Sequence, residues 1–242
     1  MAYREAVILL NEKIGPNIYK LVVEGQFEGE PGQFYMLRGW NGLDPFLARP
    51  FSIGDLDEGK ISFFYEERGR ATRIMSDLQK GQKLSLLGPL GRGFPYKRKG
   101  RIALVAGGIG IAPIYYLAKR LAVKGDLFLG FRNHTYLTEE LTPYGEEIFI
   151  STEDGSIGHK GYIVDILDPK KYDLIMACGP SPMLKAIMDK SGDKIKLYLS
   201  MESHMGCGVG TCLGCTIKTS SGMERVCKEG PVFSGREVLF YD

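Results

Sequence analysis

The chain has 242 residues, 44% of them hydrophobic and 25% charged, and its 31 basic and 29 acidic side chains leave a net charge of +2. That length allows two ordinary cores and a small appendage, and the near balance of charge gives no reason to invoke a nucleic-acid partner. The longest uncharged run, Ile102 to Ala118, is broken by Gly107, Gly108, Gly110 and Pro113, so it reads as strand, loop and helix start rather than as a membrane span.

From Met1 to about Tyr96, short β-prone segments alternate with turn residues. Strands are expected over Ala6–Leu10, Ile18–Val23, Gln33–Leu37, Ile61–Tyr65 and Lys83–Leu87, with breaks at Gly15-Pro16, Pro31-Gly32 and Gly59-Lys60. Regular short strands without a long helix predict a small antiparallel barrel. One short helix is expected over Arg73–Leu78, with Thr72 as its N-cap. The run Lys97-Arg98-Lys99-Gly100-Arg101 reads as a solvated turn between domains, which puts the first domain at residues 1–98.

After Gly100 apolar strands alternate with helical segments. Strands are expected over Ile102–Ala106, Leu127–Phe131, Ile148–Ser151, Leu174–Ala177 and Leu197–Leu199. Helices are expected near Pro113–Val123, Tyr136–Leu141, Ile163–Leu167 and Met183–Lys190. This is the βαβ rhythm of an open parallel sheet, assigned to residues 99–199. The remainder, 200–242, promises little regular structure. The fold class is therefore multi-domain, β plus α/β, with a small C-terminal module.

Two loops of the second domain suit a nucleotide. Gly107-Gly108-Ile109-Gly110-Ile111-Ala112-Pro113 stands where the first strand turns into a helix, and glycines there let backbone N–H groups approach a pyrophosphate. Pro113 suits the first helical position. A simple tight turn would also explain the glycines. A second loop, Cys178-Gly179-Pro180-Ser181-Pro182-Met183, follows a later strand, so the two would face one crevice at the carboxyl edge of the sheet. Cys178 is either a contact near a bound ring or a buried strand-end cysteine.

In the first domain, Arg49-Pro50-Phe51-Ser52 combines a fixed cation, a stiff backbone, an aromatic ring and a hydroxyl. Such a set can hold a diphosphate with Arg49, cover a flat ring with Phe51 and hydrogen-bond its edge through Ser52. It can equally be an ordinary strand start. The segment Phe64 to Thr72 then leads into the short helix and offers a further anion site.

Cys207, Cys212 and Cys215, with Cys227 further on, show the Cys-x4-Cys-x2-Cys spacing of plant-type [2Fe–2S] centres. Glycines at 206, 208, 210 and 214 let such a loop wrap closely and aim N–H groups at sulfur. Zinc would also take four cysteines, but as two short knuckles, and the spacing before Cys227 fits that poorly. Disulfides are disfavoured by the odd count of five cysteines and the lack of a signal-peptide pattern, and a reduced cytoplasmic protein is expected. His134, His159 and His204 have no metal-ligand spacing.

Taken together, Arg-Pro-x-Ser, Gly-Gly-x-Gly-x-x-Pro, Cys-Gly-Pro-x-Pro-Met and the terminal cysteine loop resemble the ferredoxin–NADP reductase superfamily. More narrowly, Ser200-Met201-Glu202, Met205 to Cys212, Cys227 and Gly230-Pro231-Val232-Phe233 resemble the electron-transfer subunits of dihydroorotate dehydrogenase B. The resemblance implies FAD at the barrel, NAD at the sheet domain and a [2Fe–2S] cluster on Cys207, Cys212, Cys215 and Cys227. It implies flavin contacts from Arg49, Pro50, Phe51 and Ser52, from Phe64, Tyr65 and Glu66, and from Ala71 and Thr72. Gly107, Gly108, Gly110, Pro113, Cys178, Gly179 and Pro180 would bound the nicotinamide nucleotide site.

The implied partner is an FMN-containing dihydroorotate dehydrogenase subunit of pyrimidine biosynthesis, two copies of each forming a heterotetramer. Two positions depart from the family pattern: Glu66 stands where a basic residue is usual, and Ala71 where a glycine is usual. The carboxylate of Glu66 must either point away or meet Arg68, Arg70 or Arg73. Two rivals stand beside this reading. One is the flavin subunit of an NAD(P)H:ferredoxin or sulfide-type oxidoreductase; the other is a zinc-stabilised nucleotide-binding adaptor. No acidic residue for a ribose hydroxyl is evident after the second strand of the sheet, and Arg132 there also suits a 2′-phosphate, but the resemblance favours NAD.

Overall fold

The computed structural model describes residues 3–240. Seven strands come first: β1 (Arg4–Gly15), β2 (Ile18–Glu24), β3 (Phe34–Arg38), β4 (Arg49–Ser52), β5 (Asp55–Asp57), β6 (Lys60–Glu66) and β7 (Lys83–Leu90). They form one sheet in the order β4-β3-β7-β1-β2-β6-β5, antiparallel at every pairing. Although β4 is one end of that order and β6 the last strand but one at the other, the Phe51 and Tyr65 rings meet edge to face with centroids 5.5 Å apart. Tyr35 of β3 likewise meets Phe63 of β6 at 6.0 Å. The sheet therefore curls around a shared core, as the inward face of a small barrel must.

Helix α1 (Arg70–Ser76) follows β6 and starts three residues before the sequence-based expectation. Gly69, in extended backbone, is the cap, and Thr72 is the third helical residue rather than the N-cap. Its hydroxyl accepts hydrogen bonds from the N–H groups of Arg68 (2.9 Å) and Gly69 (3.1 Å), so it closes the first turn from inside the helix.

The second half alternates β8 (Ile102–Gly107), α2 (Ile111–Arg120), β9 (Gly125–Phe131), α3 (Thr138–Leu141), β10 (Gly145–Thr152), β11 (His159–Lys160), α4 (Ile163–Ile166), β12 (Leu174–Cys178), α5 (Ser181–Ser191) and β13 (Lys196–Ser200). The last segment adds the hairpin β14 (Thr216–Thr219) and β15 (Gly222–Arg225), then β16 (Val232–Ser234), where little regular structure was expected. The sheet order is β11-β10-β9-β8-β12-β13-β16, parallel except where β16 returns antiparallel to β13. Val232 and Phe233 are buried, so β16 covers an edge that β13 would otherwise expose. Every residue of β8 and β12 is buried, as expected of central strands covered on both faces.

Three helix starts differ from expectation for local reasons. A 3-10 turn at Gly108–Gly110 precedes α2, so Pro113 is its third residue, still within the first turn where N–H groups have no intrahelical partner. Leu137 adopts φ +59°, which delays α3 from Tyr136 to Thr138. Helix α5 begins at Ser181, with Pro182 in its first turn. The run Lys97 to Arg101 is exposed between β7 and β8, as read.

The two sheets are fixed to each other through α2. Its Lys119 ammonium donates to Asp55 Oδ2 of β5 at 2.6 Å, with Asp57 at 3.7 Å, and the Asp55 side chain is only 13% exposed. Burial disfavours the charge on Lys119, but the hydrogen bond and charge of Asp55 outweigh it and hold its pKa above the usual lysine value. On either side, Tyr116 donates to the Gly29 carbonyl at 3.1 Å and Tyr115 meets Phe64 edge to face at 5.5 Å. Replacing Lys119 by Met strands a half-buried carboxylate and is expected to cost about 2 kcal/mol. A lower urea midpoint, partly recovered by adding Asp55→Asn, is the check; an unchanged midpoint refutes the seam's importance.

Candidate functional site

Strand register decides which residues meet. Gly107 pairs with Gly130, Cys178 with both Ala106 and Ser200, so the ends of β8, β9, β12 and β13 line one edge. That edge faces the open side of the barrel, and two cavities lie in the cleft between them.

The first cavity, of 410 Å³, is walled on the barrel side by Arg49, Pro50, Phe51 and Ser52 of β4 and by Phe64, Tyr65 and Glu66 of β6. Gly69 to Thr72 form its rim, and Ile109, Ala112, Pro113 and Cys178 close it from the sheet. All nine barrel positions singled out in the sequence are thus brought together. Arg49 donates to the Leu47 carbonyl and lies over the Trp40 ring, which holds the guanidinium at the cavity mouth.

Both departures from the family pattern have a local resolution. Arg68 takes Glu66 at 2.7 Å, while Arg70 pairs with Asp44 at 2.6 Å and Arg73 with Glu67 at 3.4 Å. The carboxylate is therefore neutralised inside its own strand end. Ala71 is a buried residue inside helix α1, where no glycine freedom is needed.

The second cavity, of 670 Å³, runs along the carboxyl edge of the sheet past Gly107, Gly108, Gly110, Gly179 and Pro180. Pro113 and Cys178 belong instead to the first cavity. A Cβ at Gly110 would collide with the Cys178 carbonyl, which explains why the loop after β8 can press against the end of β12 only with glycine there. Cys178 itself is a buried strand end; burial pushes its thiol up and the nearby Glu202 adds to that.

The two cavities share the wall formed by Glu66, Arg68, Ile109 and Glu202. Glu202 stands two residues after the end of β13, and sequence reasoning gave it no site role, although the strand-end rule points to it. Surrounding protein pushes its carboxyl up, Arg68 opposes this, and Glu66 adds to it.

The four cysteines sit beside the first cavity, which Met205 also lines. Gly208, at φ +72°, lies against Met36 of β3, and a Cβ there would come within 2.6 Å of it. The hairpin β14–β15 returns the chain so that Cys227 comes back to Cys215, and the Cys227 N–H donates to Cys215 Sγ at 3.5 Å. Thr211 and Cys212 N–H groups donate to Cys207 Sγ at 3.3 and 3.4 Å. Arg225 straps the loop by donating to the Gly210 carbonyl at 2.9 Å while holding Glu229.

The thiols stand as two pairs, Cys207 with Cys212 and Cys215 with Cys227. Burial works to raise Cys207, but hydrogen bonds from Cys212, Val209 and Thr211 outweigh it and bring the thiol down to about 6. Among the described residues no three His, Cys, Asp or Glu side chains close on a single ion. Two pairs with N–H groups aimed at sulfur suit a two-iron rhomb, which takes two thiolates on each iron, better than one tetrahedral zinc. His134, His159 and His204 are exposed, and His134 borders the second cavity. Among the described residues no helix is long and apolar enough to cross a membrane.

Comparison with known proteins agrees with this arrangement. Residues 202–239 match the family model of the iron–sulfur cluster binding domain of dihydroorotate dehydrogenase B. The electron transfer subunit of dihydroorotate dehydrogenase B (NAD(+)) from Clostridium acetobutylicum is 47% identical over 235 residues, covering 96% of this chain and 95% of that one. The Clostridium perfringens subunit of the same name is 42% identical, covering 99% of both chains. Among solved structures, an NADH-dependent reduced ferredoxin-NADP oxidoreductase, described in connection with flavin-based electron bifurcation, superposes with a TM-score of 0.87 at 27% identity over 96% of this chain and 89% of that chain. A Neisseria gonorrhoeae ferredoxin NADP+ reductase with bound FAD and NADP shares the fold, with a TM-score of 0.65 at 17% identity over 80% of this chain and 92% of that one. The chain belongs to the family of dihydroorotate dehydrogenase B (NAD(+)) electron transfer subunits.

Proposed function

We propose that this chain passes electrons between NAD(H) and a separate dihydroorotate-oxidising subunit, holding FAD in the first cavity, the nicotinamide nucleotide in the second, and a [2Fe–2S] cluster on Cys207, Cys212, Cys215 and Cys227. One observation carries this reading: the two cavities share a wall, and the cysteine loop begins at the first of them through Met205. When bound, these groups supply hydride acceptance and single-electron transfer. The protein's own work is to position them and set their surroundings.

In this reading Arg49 neutralises the flavin diphosphate, Phe51 covers the flat ring, and Ser52 donates a hydrogen bond to its edge. Phe64, Tyr65, Glu66, Ala71 and Thr72 complete that site. Gly107, Gly108 and Gly110 offer backbone N–H groups to the pyrophosphate of the nucleotide, with Gly179 and Pro180 opposite. Pro113 and Cys178 border the flavin cavity instead and close it from the sheet side.

The partner is an FMN-containing catalytic subunit, and the complex contains two copies of each chain in the cytoplasm. The FAD domain is assigned to 1–98, the NAD domain to 99–199 and the cluster module to 200–242; residues 1–2 and 241–242 lie outside the described residues. Sheet membership supports these bounds, with β16 as a strand lent by the third unit to the second. The ferredoxin- or sulfide-type rival shares the fold, but identity reaches 47% with the dihydroorotate dehydrogenase subunits against 27% with the ferredoxin-linked structure. The paired thiols weigh against the zinc adaptor.

Three outcomes test the assignment. Cys212→Ser should remove the cluster absorbance and its iron while leaving bound flavin; an intact cluster spectrum sinks the ligand set. Arg49→Ala should weaken FAD binding about 10- to 100-fold, the worth of a charge-assisted hydrogen bond. Unchanged flavin affinity moves the site away from β4. The chain alone should reduce artificial acceptors with NADH yet form no orotate until the catalytic subunit is added, and turnover of dihydroorotate by the single chain contradicts the two-subunit scheme.

A further inference from the structure

The segment that carries three of the four cysteines has no regular structure of its own to hold it. Between β13, which ends at Ser200, and β14, which starts at Thr216, the chain forms neither helix nor strand. Thr211 and Cys212 are exposed, so water competes with sulfur for their N–H groups. A group outside the loop must aim them.

Arg225, at the end of β15, reaches in from the neighbouring hairpin. Its Nη1 donates to the Gly210 carbonyl at 2.9 Å, while Nε donates to Glu229 Oε2 at 2.9 Å and Nη2 to Glu229 Oε1. The Arg225 backbone N–H donates to the same Oε2 at 2.9 Å. A fork bonded at both prongs fixes the plane of a guanidinium as well as its position. The two side chains are 26% and 22% exposed, which limits competition from water.

The gripped carbonyl is half of a rigid unit. The Gly210 carbonyl and the Thr211 N–H belong to one planar trans peptide and point in opposite directions. Arg225 holds one side of that plane, and on the other the Thr211 N–H donates to Cys207 Sγ at 3.3 Å. Gly210, at φ +85°, hydrogen-bonds Cys227 through its own N–H. Gly210 therefore stands between the two thiol pairs. The chain behind Arg225 belongs to the second pair, because the Val226 N–H donates to the Cys215 carbonyl at 3.1 Å and Cys227 follows.

On the cluster assignment proposed above, we infer that Arg225 is a positioning residue for the iron–sulfur site. By holding the Gly210 carbonyl it aims the Thr211 N–H at Cys207 and keeps the two thiol pairs at one spacing. Glu229 balances its charge, so the effect is one of orientation. An N–H aimed at a ligand sulfur favours the more negative, reduced state of a cluster, so the clamp raises the potential.

The test uses the full chain, loaded anaerobically with flavin and cluster. Arg225→Gln combined with Glu229→Gln removes the ion pair without changing the net charge. It should shift the reduction potential of the cluster to more negative values and change the electron paramagnetic resonance g values of the reduced state. Iron loss to a chelator should be about 10- to 100-fold faster, the usual cost of removing the support behind a metal ligand, with flavin content unchanged. Arg225→Lys keeps the cation without the fork and should move each readout in the same direction. Complete loss of iron with flavin content and melting temperature unchanged is the extreme of that result. Potential and g values equal to wild type in both variants overturn the inference whatever the rate of iron loss, and leave the four-cysteine site standing. Loss of flavin and of the melting transition in both variants also overturns it, because the pair then holds the whole chain rather than one peptide. A wild-type chain that carries no [2Fe–2S] cluster removes the cluster assignment and this inference with it.

Discussion

The half-buried pair between Lys119 and Asp55 is the contact on which the rest of the cleft depends. It ties the first helix of the parallel sheet to the edge of the barrel, and the Tyr116–Gly29 and Tyr115–Phe64 contacts continue the seam. An ion pair of this kind is directional where apolar packing is not, so it fixes rotation as well as distance. With that angle set, the carboxyl edge of the sheet faces Phe51 and Tyr65 across the first cavity. A loss of alignment here would separate the two cavities without touching the lining of either one.

Charge in the cleft is arranged by the same geometry. Glu66 and Glu202 flank Arg68 at the wall common to both cavities. Two carboxyl groups meet one guanidinium there: Arg68 pairs with Glu66, while the surrounding protein pushes the Glu202 carboxyl up. Near the cysteines, the N–H groups of Thr211 and Cys212 point at Cys207 Sγ and help hold that thiol down, whereas burial and the neighbouring Cys215 push Cys227 up.

Much of this was legible in the sequence where covalent or steric necessity fixes spacing. Cys207, Cys212 and Cys215 are close in the chain because one loop must carry them, and Gly110 is required because the backbone of Cys178 leaves no room. The barrel and the parallel sheet followed from strand periodicity and turn residues. Features set by tertiary placement were not legible. Thr72 looked like a cap because a hydroxyl before a helix usually is one, whereas here it bonds backward from the third helical position. β16 is too short to announce itself, and its partner β13 is a neighbour only in space. Glu153 and Glu202 become cleft residues only once strand order is known. Glu66 looked unfavourable until Arg68 was found to neutralise it.

The most direct test of the electron route is an anaerobic titration of the cofactor-loaded chain with NADH, followed by visible absorption and low-temperature electron paramagnetic resonance. The account predicts that the flavin bands bleach and the signal of a reduced [2Fe–2S] cluster rises in the same sample. A colourless zinc-containing chain, or flavin that bleaches while the cluster stays oxidised, would contradict it.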